Sequence, residues 1–253
     1  MCRLFTWSAP TAITLDEALG SDLDNLIKLS ELHRDGWGMA WQEEDGGVRL
    51  IRDESPAFEG GAFRTSATAV ASRAAIVHLR WATEPMQVCI PNTHPFLKQG
   101  PSGAIAFAHN GKIPRGSKLD ELIDSDLLSE LEGETDSERY FAALISQARK
   151  SGGDLVTAFA KTTRNLEPFN YSSINSLALT DTHVYVLSQY RAERRPAGTD
   201  PDYYELKWSE VDGVTTAWSS DVSDKNGIEL PSGSLLVIDV ASGMSEVIDL
   251  ATA

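Results

Sequence analysis

The chain has 253 residues, of which 42% are hydrophobic and 23% are charged, as expected of a folded globular protein rather than a disordered one. Its net charge of −15 argues against a nucleic-acid or anionic-membrane partner, because phosphate binding requires clustered cations. The sequence has no apolar run near the roughly 20 residues of a membrane span and no signal-peptide core. Two cysteines, Cys2 and Cys89, make no disulfide framework, so we expect a cytoplasmic protein.

The first half of the chain predicts helices and strands in mixed order. Thr14-Leu15-Asp16-Glu17 has the form of a capping box that opens a short helix, and an apolar stripe continues over 23–33. Asp45-Gly46 is a turn pair between the segments 38–41 and 48–51, which predicts a hairpin. Three further elements are predicted in this half: a helix over 62–72 and strands over 75–80 and 104–109.

Helices and then strands are predicted in the second half. Apolar residues at helical spacing indicate three helices: 119–131, 137–150 and 155–163. Short segments between turn residues indicate six strands: 176–180, 183–188, 203–208, 214–219, 235–240 and 246–250. This order indicates an α+β fold without regular βαβ alternation, and we expect its layers to form a single domain over residues 1–253.

Cys2 is the first candidate for chemistry. If Met1 is removed, Cys2 carries both a thiol and a free α-amine. The amine has an ordinary pKa of about 7.7–8.0 and can act as a general base for the adjacent thiol. A buried, inert cysteine is the alternative, because free cysteine is among the most buried residue types.

Three later segments supply polar groups at the ends of predicted elements. Arg80 follows an apolar strand, where its planar guanidinium suits a substrate carboxylate or an ordinary salt bridge. Asn110-Gly111 ends another strand, either as a simple turn or as an oxyanion hole that combines a side-chain amide with a backbone N–H. Asp136 opens a helix, either as its cap or as a carboxylate for a substrate ammonium.

In order and rough spacing, these segments resemble the class II glutamine amidotransferases, which are N-terminal-nucleophile hydrolases. The matching motifs are Met1-Cys2, Arg34-Asp35-Gly36-Trp37-Gly38, Leu79-Arg80-Trp81-Ala82-Thr83, Asn92-Thr93-His94-Pro95-Phe96, His109-Asn110-Gly111 and Glu134-Thr135-Asp136-Ser137-Glu138. Beyond Glu138 the chain shares with the family only its general pattern of predicted elements. The exception is Trp218-Ser219-Ser220, which resembles a strand and turn that stand-alone members place near the site.

The resemblance implies a four-layer αββα sandwich with two antiparallel sheets between helical layers, and an activity that needs no cofactor. It also implies a set of site residues: catalytic Cys2, Asn110 and Gly111, and substrate-binding Arg80, Trp81, Thr83 and Asp136. The implied reaction is hydrolysis of the side-chain amide of glutamine, or of a γ-glutamyl compound, through a thioester on Cys2.

Two other functions remain open at this point. The protein could donate ammonia to a separate synthase partner, or it could bind γ-glutamyl compounds without catalysis if Met1 is retained. No synthase domain follows in the sequence, and Glu84-Pro85 replaces the family's usual His-Gly beside the ligand. Both features favour hydrolysis of a small γ-glutamyl amide by this protein alone, without a synthase partner.

The histidines and tryptophans suggest weaker alternatives. His33, His78, His94 and His109 could bind a metal, but the sequence lacks the close ligand spacings of such sites, such as HxH or HExxH. We therefore expect no metal. The six tryptophans are scattered, which does not favour a carbohydrate-binding module.

Overall fold

Two antiparallel sheets lie at the centre of the structure, a computed structural model that describes residues 2–82, 86–223 and 225–252. The strands of the first sheet are β1 (Arg3–Thr14), β2 (Trp37–Gln42), β3 (Val48–Asp53), β4 (Ala71–Leu79), β9 (Leu206–Val211), β10 (Val214–Ser219) and β11 (Ile228–Leu230). Those of the second sheet are β5 (Phe96–Gly100), β6 (Gly103–Gly111), β7 (Ile174–Leu179), β8 (His183–Ser188), β12 (Ser234–Asp239) and β13 (Ser245–Asp249). The spatial orders are β11-β9-β10-β1-β4-β2-β3 and β13-β12-β8-β7-β6-β5, so β1 is the central strand of the first sheet.

Helices cover the outer face of each sheet. They are α1 (Leu15–Leu19), α2 (Leu23–Leu29), α3 (Ala62–Ala69), α4 (Ser117–Asp120), α5 (Ser125–Ser129), α6 (Asp136–Lys150) and α7 (Leu155–Leu166). The first three pack on the first sheet around Trp7 and Phe63, and the last two pack on the second sheet around Phe107 and Phe141. A third apolar cluster, which includes Leu4, lies between the sheets. The layers run helix, sheet, sheet, helix, which confirms the expected αββα sandwich. None of these helices is long and apolar enough to cross a membrane.

Several predicted elements are present with little change. The capping box is confirmed, because the Thr14 hydroxyl accepts the N–H of Glu17 and the Glu17 carboxylate accepts the N–H of Thr14. The hairpin of β2 and β3 is confirmed, and β8 and β10 match the predicted strands over 183–188 and 214–219. The sequence did not predict β1, β5 or β11, and the strand predicted over 203–208 begins only at Leu206.

The helix predicted over 119–131 is wrong, because the structure breaks it into α4 and α5. Asp124 lies between them in an extended conformation, with φ −63° and ψ 143°. Its carboxylate contacts two cations at the end of α6, Arg149 at 3.5 Å and Lys150 at 3.1 Å. Asp124 is the N-cap residue of α5, a position that is normally extended, so the chain leaves helical geometry here although the apolar spacing continues.

Gly38 explains why two of the sequence motifs occur together. A Cβ at this position would overlap the carbonyl oxygen of His94 and lie 2.8 Å from Cδ of Pro95. The segment around His94 therefore crosses β2 at a point where only glycine leaves room. This contact joins the motif at residues 34–38 to the motif at residues 92–96.

We expect Gly38→Ala to lower the free energy of unfolding by about 1–3 kcal/mol, because backbone must shift to admit the methyl group. Gly47→Ala in the β2–β3 hairpin is the matched control, because its Cβ would meet nothing closer than the flexible Asp45 carboxylate at 3.2 Å. Urea unfolding of both variants measures the difference. Equal stabilities would contradict the close approach at Gly38.

Candidate active site

Strand pairing brings the N-terminus beside the end of β4. Arg3 pairs with Leu79 in the ladder between β1 and β4, so Cys2 and Arg80 are neighbours just beyond the paired strands. Leu4 lies in the apolar cluster between the sheets. Because side chains alternate along a strand, Cys2 continues on the face of Leu4 and is directed into the gap between the sheets.

The end of β6 faces the same gap from the second sheet. Ala108 belongs to the cluster between the sheets, so Asn110, two residues further along, projects from the same face. His109 lies on the opposite face, where its Nδ1 is 2.8 Å from the hydroxyl of Ser137 in α6. Cys2 and Asn110 are thus directed toward each other's sheet at one end of the sandwich.

The Cys2 thiol is buried, with 8% of the residue exposed. Its Sγ donates a weak hydrogen bond to the backbone carbonyl of Trp81 at 3.9 Å. Burial raises the pKa of the thiol, while the guanidinium groups of Arg80 and Arg3 act to lower it. A buried thiol of this kind is protonated at neutral pH and requires a base before it can act as a nucleophile.

Arg80 is a buried cation beside this thiol. Its guanidinium donates to two backbone carbonyls, those of Asp35 at 3.1 Å and Gln87 at 3.3 Å. No carboxylate in the described part of the chain lies within salt-bridge distance of it. Burial lowers the pKa of Arg80, and the nearby Cys2 and Asp35 act to raise it. A buried guanidinium with spare donors is suited to an anionic ligand.

Asp35 holds the segment that follows Arg80, a role that residue type alone did not reveal. Its carboxylate accepts the N–H of Ala82 at 2.7 Å, and its own N–H donates to the Arg80 carbonyl at 3.0 Å. Arg80 in turn donates its N–H to the Gly36 carbonyl at 2.8 Å. The motif at residues 34–38 was the only sequence signal for this contact.

Asn110 and Gly111 are not a turn, because they continue β6 in register with Asn175 and Ile174 of β7. The Asn110 side chain is completely buried, and neither amide atom has a hydrogen-bond partner among the described residues. A Cβ at Gly111 would overlap the carbonyl oxygen of Ser173, so this close approach requires glycine. Buried amides are nearly always hydrogen-bonded, so the Asn110 amide is suited to bind a ligand atom.

Asp136 begins α6 but is not its cap, because Thr135 accepts the N–H of Glu138 at 3.0 Å. The Asp136 carboxylate instead accepts the N–H of Ile113 at 2.5 Å. This bond ties the start of α6 to the chain just after Gly111. The structure therefore brings Asp136 to the end of β6 that carries Asn110.

His109 joins α6 to β7 beneath this end of β6. Its Nε2 lies 3.1 Å from the Ser173 carbonyl, which can only accept, so Nε2 carries the proton and Nδ1 accepts from the Ser137 hydroxyl. Burial lowers the pKa of His109, and Asp136 acts to raise it. The neutral ring therefore ties β6 to Ser137 of α6 and to Ser173 just before β7, one residue before Asn110.

His78 and His94 form a buried pair of rings with centroids 4.2 Å apart. The His78 ring lies at the backbone of His109, and neither ring nitrogen of His94 has a hydrogen-bond partner in the described part of the chain. Burial and then Arg80 lower the pKa of His78 to about 3, and burial and then His78 lower the pKa of His94. Both rings are neutral at physiological pH. Across residues 2–82, 86–223 and 225–252 no group of three or more His, Cys, Asp or Glu side chains is arranged to hold a metal ion.

The pKa of His78 predicts a pH dependence of stability. The unfolded side chain takes up a proton near its ordinary pKa of about 6.5, but the folded one does so only near 3, so stability falls as the pH drops between these values. We expect wild type to lose about 2 kcal/mol more than His78→Gln between pH 6.5 and 4.5, as measured by urea unfolding. Parallel curves for the two proteins would refute the prediction.

Trp81 lies beside Cys2, with its indole edge against the ring of His33 at a centroid distance of 5.6 Å. Three other residues on which the sequence analysis depends, Thr83, Glu84 and Pro85, lie outside the described residues, as does Met1.

A family model for the class-II glutamine amidotransferases matches residues 1–189. The chain belongs to this family. Its membership of the class-II glutamine amidotransferases was identified correctly from its motifs.

Individual relatives of this class-II glutamine amidotransferase are distant. An uncharacterised protein of Methanocaldococcus jannaschii is 33% identical over 175 residues, which are 68% of this chain and 47% of the relative. The gamma-glutamyl-hercynylcysteine sulfoxide hydrolase of Mycolicibacterium smegmatis is 26% identical over 144 residues, 52% of this chain and 62% of the relative. The chain therefore spans about half to two thirds of the length of these curated relatives. A glutamine aminotransferase class-II domain protein from Silicibacter pomeroyi shares the fold, with a TM-score of 0.68 at 19% identity, covering 98% of this chain and 99% of that one.

Proposed function

We propose that the protein hydrolyses γ-glutamyl amide bonds with Cys2 as its nucleophile. The observation that carries the proposal is a buried cation beside this thiol, with donors left over, and a buried unpaired amide at the end of β6. Arg80 is a buried cation with no described carboxylate at salt-bridge distance, and Asn110 is a buried amide with no described partner. Buried groups of both kinds require partners, and a γ-glutamyl substrate offers a carboxylate for one and a developing oxyanion for the other.

The chemistry begins when Met1 is removed and the α-amine of Cys2 becomes free. The amine takes the thiol proton, the sulfur attacks the δ-carbon of the substrate, and the carbonyl π-electrons move to the oxygen. Asn110 and the N–H of Gly111 hold that oxyanion. Collapse of the tetrahedral intermediate breaks the C–N bond, and the protonated amine returns its proton to the leaving nitrogen. Water then attacks the γ-glutamyl thioester and releases glutamate and the free thiol.

Recognition of the glutamyl part is assigned to groups of opposite charge. Arg80 binds the α-carboxylate, with Thr83 and the Trp81 backbone assisting, because a guanidinium fork matches a carboxylate in two bonds. Asp136 binds the α-ammonium, because its carboxylate is held at the end of β6 by the Ile113 N–H and carries the charge opposite to that of the ammonium. No step of this scheme requires a cofactor.

Hydrolysis of a γ-glutamyl amide larger than glutamine is the form of the reaction that we favour. The relative from Mycolicibacterium smegmatis carries the name of a γ-glutamyl hydrolase. Glu84-Pro85 also replaces the His-Gly that usually follows the Arg-Trp-Ala-Thr motif. Cys2 and Cys89 are both free thiols, and we place the protein in the reducing cytoplasm, where such thiols persist.

Steady-state kinetics of the isolated protein test this function. Glutamate release is measured with glutamine and with glutathione at equal concentration, after intact mass has established that Met1 is absent. We expect turnover with both and a higher kcat/KM for the larger γ-glutamyl compound. A strong preference for glutamine, with turnover that rises only when a synthase is added, would show an ammonia donor instead. Retention of Met1 together with binding but no turnover would show a γ-glutamyl-binding protein.

A further inference from the structure

Arg3 is a buried cation directly after Cys2, and the reaction above gives it no part. Its side chain is only 4% exposed. The guanidinium makes three contacts at once. Nη1 donates to the backbone carbonyl of Cys2 at 3.0 Å, Nε donates to the Asp221 carboxylate at 2.7 Å, and the plane lies 4.1 Å above the ring of Tyr203. These contacts link Cys2 to a part of the chain about two hundred residues away.

The partners of Arg3 are themselves held in place. The backbone carbonyl of Asp221 accepts a hydrogen bond from the Asn25 side chain of α2 at 2.9 Å. Ser219, at the end of β10, accepts the N–H of Leu4 at 3.0 Å. The ring of Tyr203 packs edge-on against Tyr204 at 5.4 Å. The end of β10 and the turn after it therefore bind the two residues that follow Cys2, Arg3 through its side chain and Leu4 through its backbone N–H.

Cys2 needs such support because it precedes the strand. Pairing between β1 and β4 starts at Arg3, and chain ends outside a ladder fray unless they are tied down. Among the described residues, the thiol itself makes only the long contact to the Trp81 carbonyl. Rotation about the Cα–C bond of Cys2 changes the position of its carbonyl relative to its amine and thiol. A fixed carbonyl therefore restricts where the amine and thiol can lie.

We propose that Arg3, held by Asp221 and Tyr203, is a positioning residue that orients Cys2 for proton transfer between its α-amine and its thiol. This inference rests on the proposed function. A guanidinium is required because an ammonium is a compact point charge that cannot bond to two acceptors in fixed directions while it stacks on a ring.

Arg3→Lys tests the geometry while it keeps the charge. We expect kcat to fall about 10–100-fold with KM nearly unchanged, because Arg80 and Asp136 still bind the substrate. Asp221→Asn should act in the same direction with a smaller fall. Arg73→Lys is the matched control, because Arg73 lies at the far end of β4 and donates to the Val240 carbonyl at 2.7 Å. Its kcat should stay at the wild-type value even if its melting temperature falls as much as that of Arg3→Lys.

A second measurement does not depend on turnover. The rate of Cys2 alkylation by iodoacetamide is followed against pH in a Cys89→Ala background. Arg3→Gln should raise the pH midpoint of alkylation, because the Arg3 charge acts to lower the thiol pKa, and Arg3→Lys, which keeps the charge, should not. Wild-type kcat in Arg3→Lys, or an equal fall in Arg73→Lys, would overturn the inference. An inactive wild-type protein would reject the proposed function instead, and the alkylation midpoints would still decide whether Arg3 acts on Cys2.

Discussion

Cys2→Ala should abolish glutamate release from glutamine and from γ-glutamyl amides, with a loss of about 10⁴-fold or more. The loss is this large because no thioester can form without the Cys2 sulfur. The fold should persist. Within residues 2–82, 86–223 and 225–252 the Cys2 thiol makes one weak hydrogen bond, at 3.9 Å, so the free energy of unfolding should change by no more than about 1 kcal/mol.

Cys89→Ala is the control for this experiment. Cys89 is the second free thiol, and it lies close enough to Arg80 to influence its pKa. It has no place in the proposed reaction, so its replacement should leave turnover near the wild-type value. Glutamate release and thermal unfolding are measured for all three proteins. Turnover in Cys2→Ala equal to wild type would refute the mechanism, and loss of turnover only in Cys89→Ala would transfer the nucleophile to the other thiol.

Motif order, rather than local structure, selected the candidate site residues. Cys2, Arg80, Asn110 and Asp136 were chosen because their residue types follow a family pattern; the structure places Cys2 beside Arg80 and ties Asp136 to the chain just after Gly111. Arg3 and Asp221 could not be found in this way. Their contact joins residues 218 positions apart, and an arginine beside a cysteine has no local signature of burial.

The central strand β1 was missed for a physical reason. Residues 3–9 are all buried, because one face packs on the second sheet and the other on the helices around Trp7. Phe5-Thr6-Trp7-Ser8-Ala9 alternates apolar and polar residues, but the run is only five residues long and neither Arg3-Leu4 nor Pro10 continues it. Pro10 also marks this segment as a turn when it is considered alone. Only pairing with β4 and β10 reveals its place at the centre of the sheet.

The turn that the sequence offered as one alternative at Asn110-Gly111 is absent, because strand pairing overrides the local preference. An Asn-Gly pair commonly turns a hairpin, but here it continues β6 because β7 pairs with it through Asn175 and Ile174. The glycine serves the close approach of the Ser173 carbonyl rather than a turn. Local propensity therefore identified a special backbone position correctly and assigned it the wrong geometry.

Asn110→Ala should lower kcat by about 10²–10³-fold and leave KM nearly unchanged, because an oxyanion donor acts only when charge develops in the transition state. Neither amide atom of Asn110 bonds to another described residue, so the substitution breaks no hydrogen bond there and should leave the melting temperature close to wild type. Asn110→Asp keeps the shape of the side chain but places a negative charge beside the oxyanion. Its kcat should therefore fall at least as far.

Arg80→Lys should give the opposite kinetic pattern. The lysine retains the charge but loses the planar fork, so KM should rise about 10-fold or more while kcat changes little. Steady-state kinetics with a single γ-glutamyl amide separate the two variants, because one group acts on the ground state and the other only on the transition state. If Asn110→Ala changed KM alone, as Arg80→Lys is expected to do, its amide would be a substrate-binding group, and the oxyanion would have to be held by Gly111 and other donors.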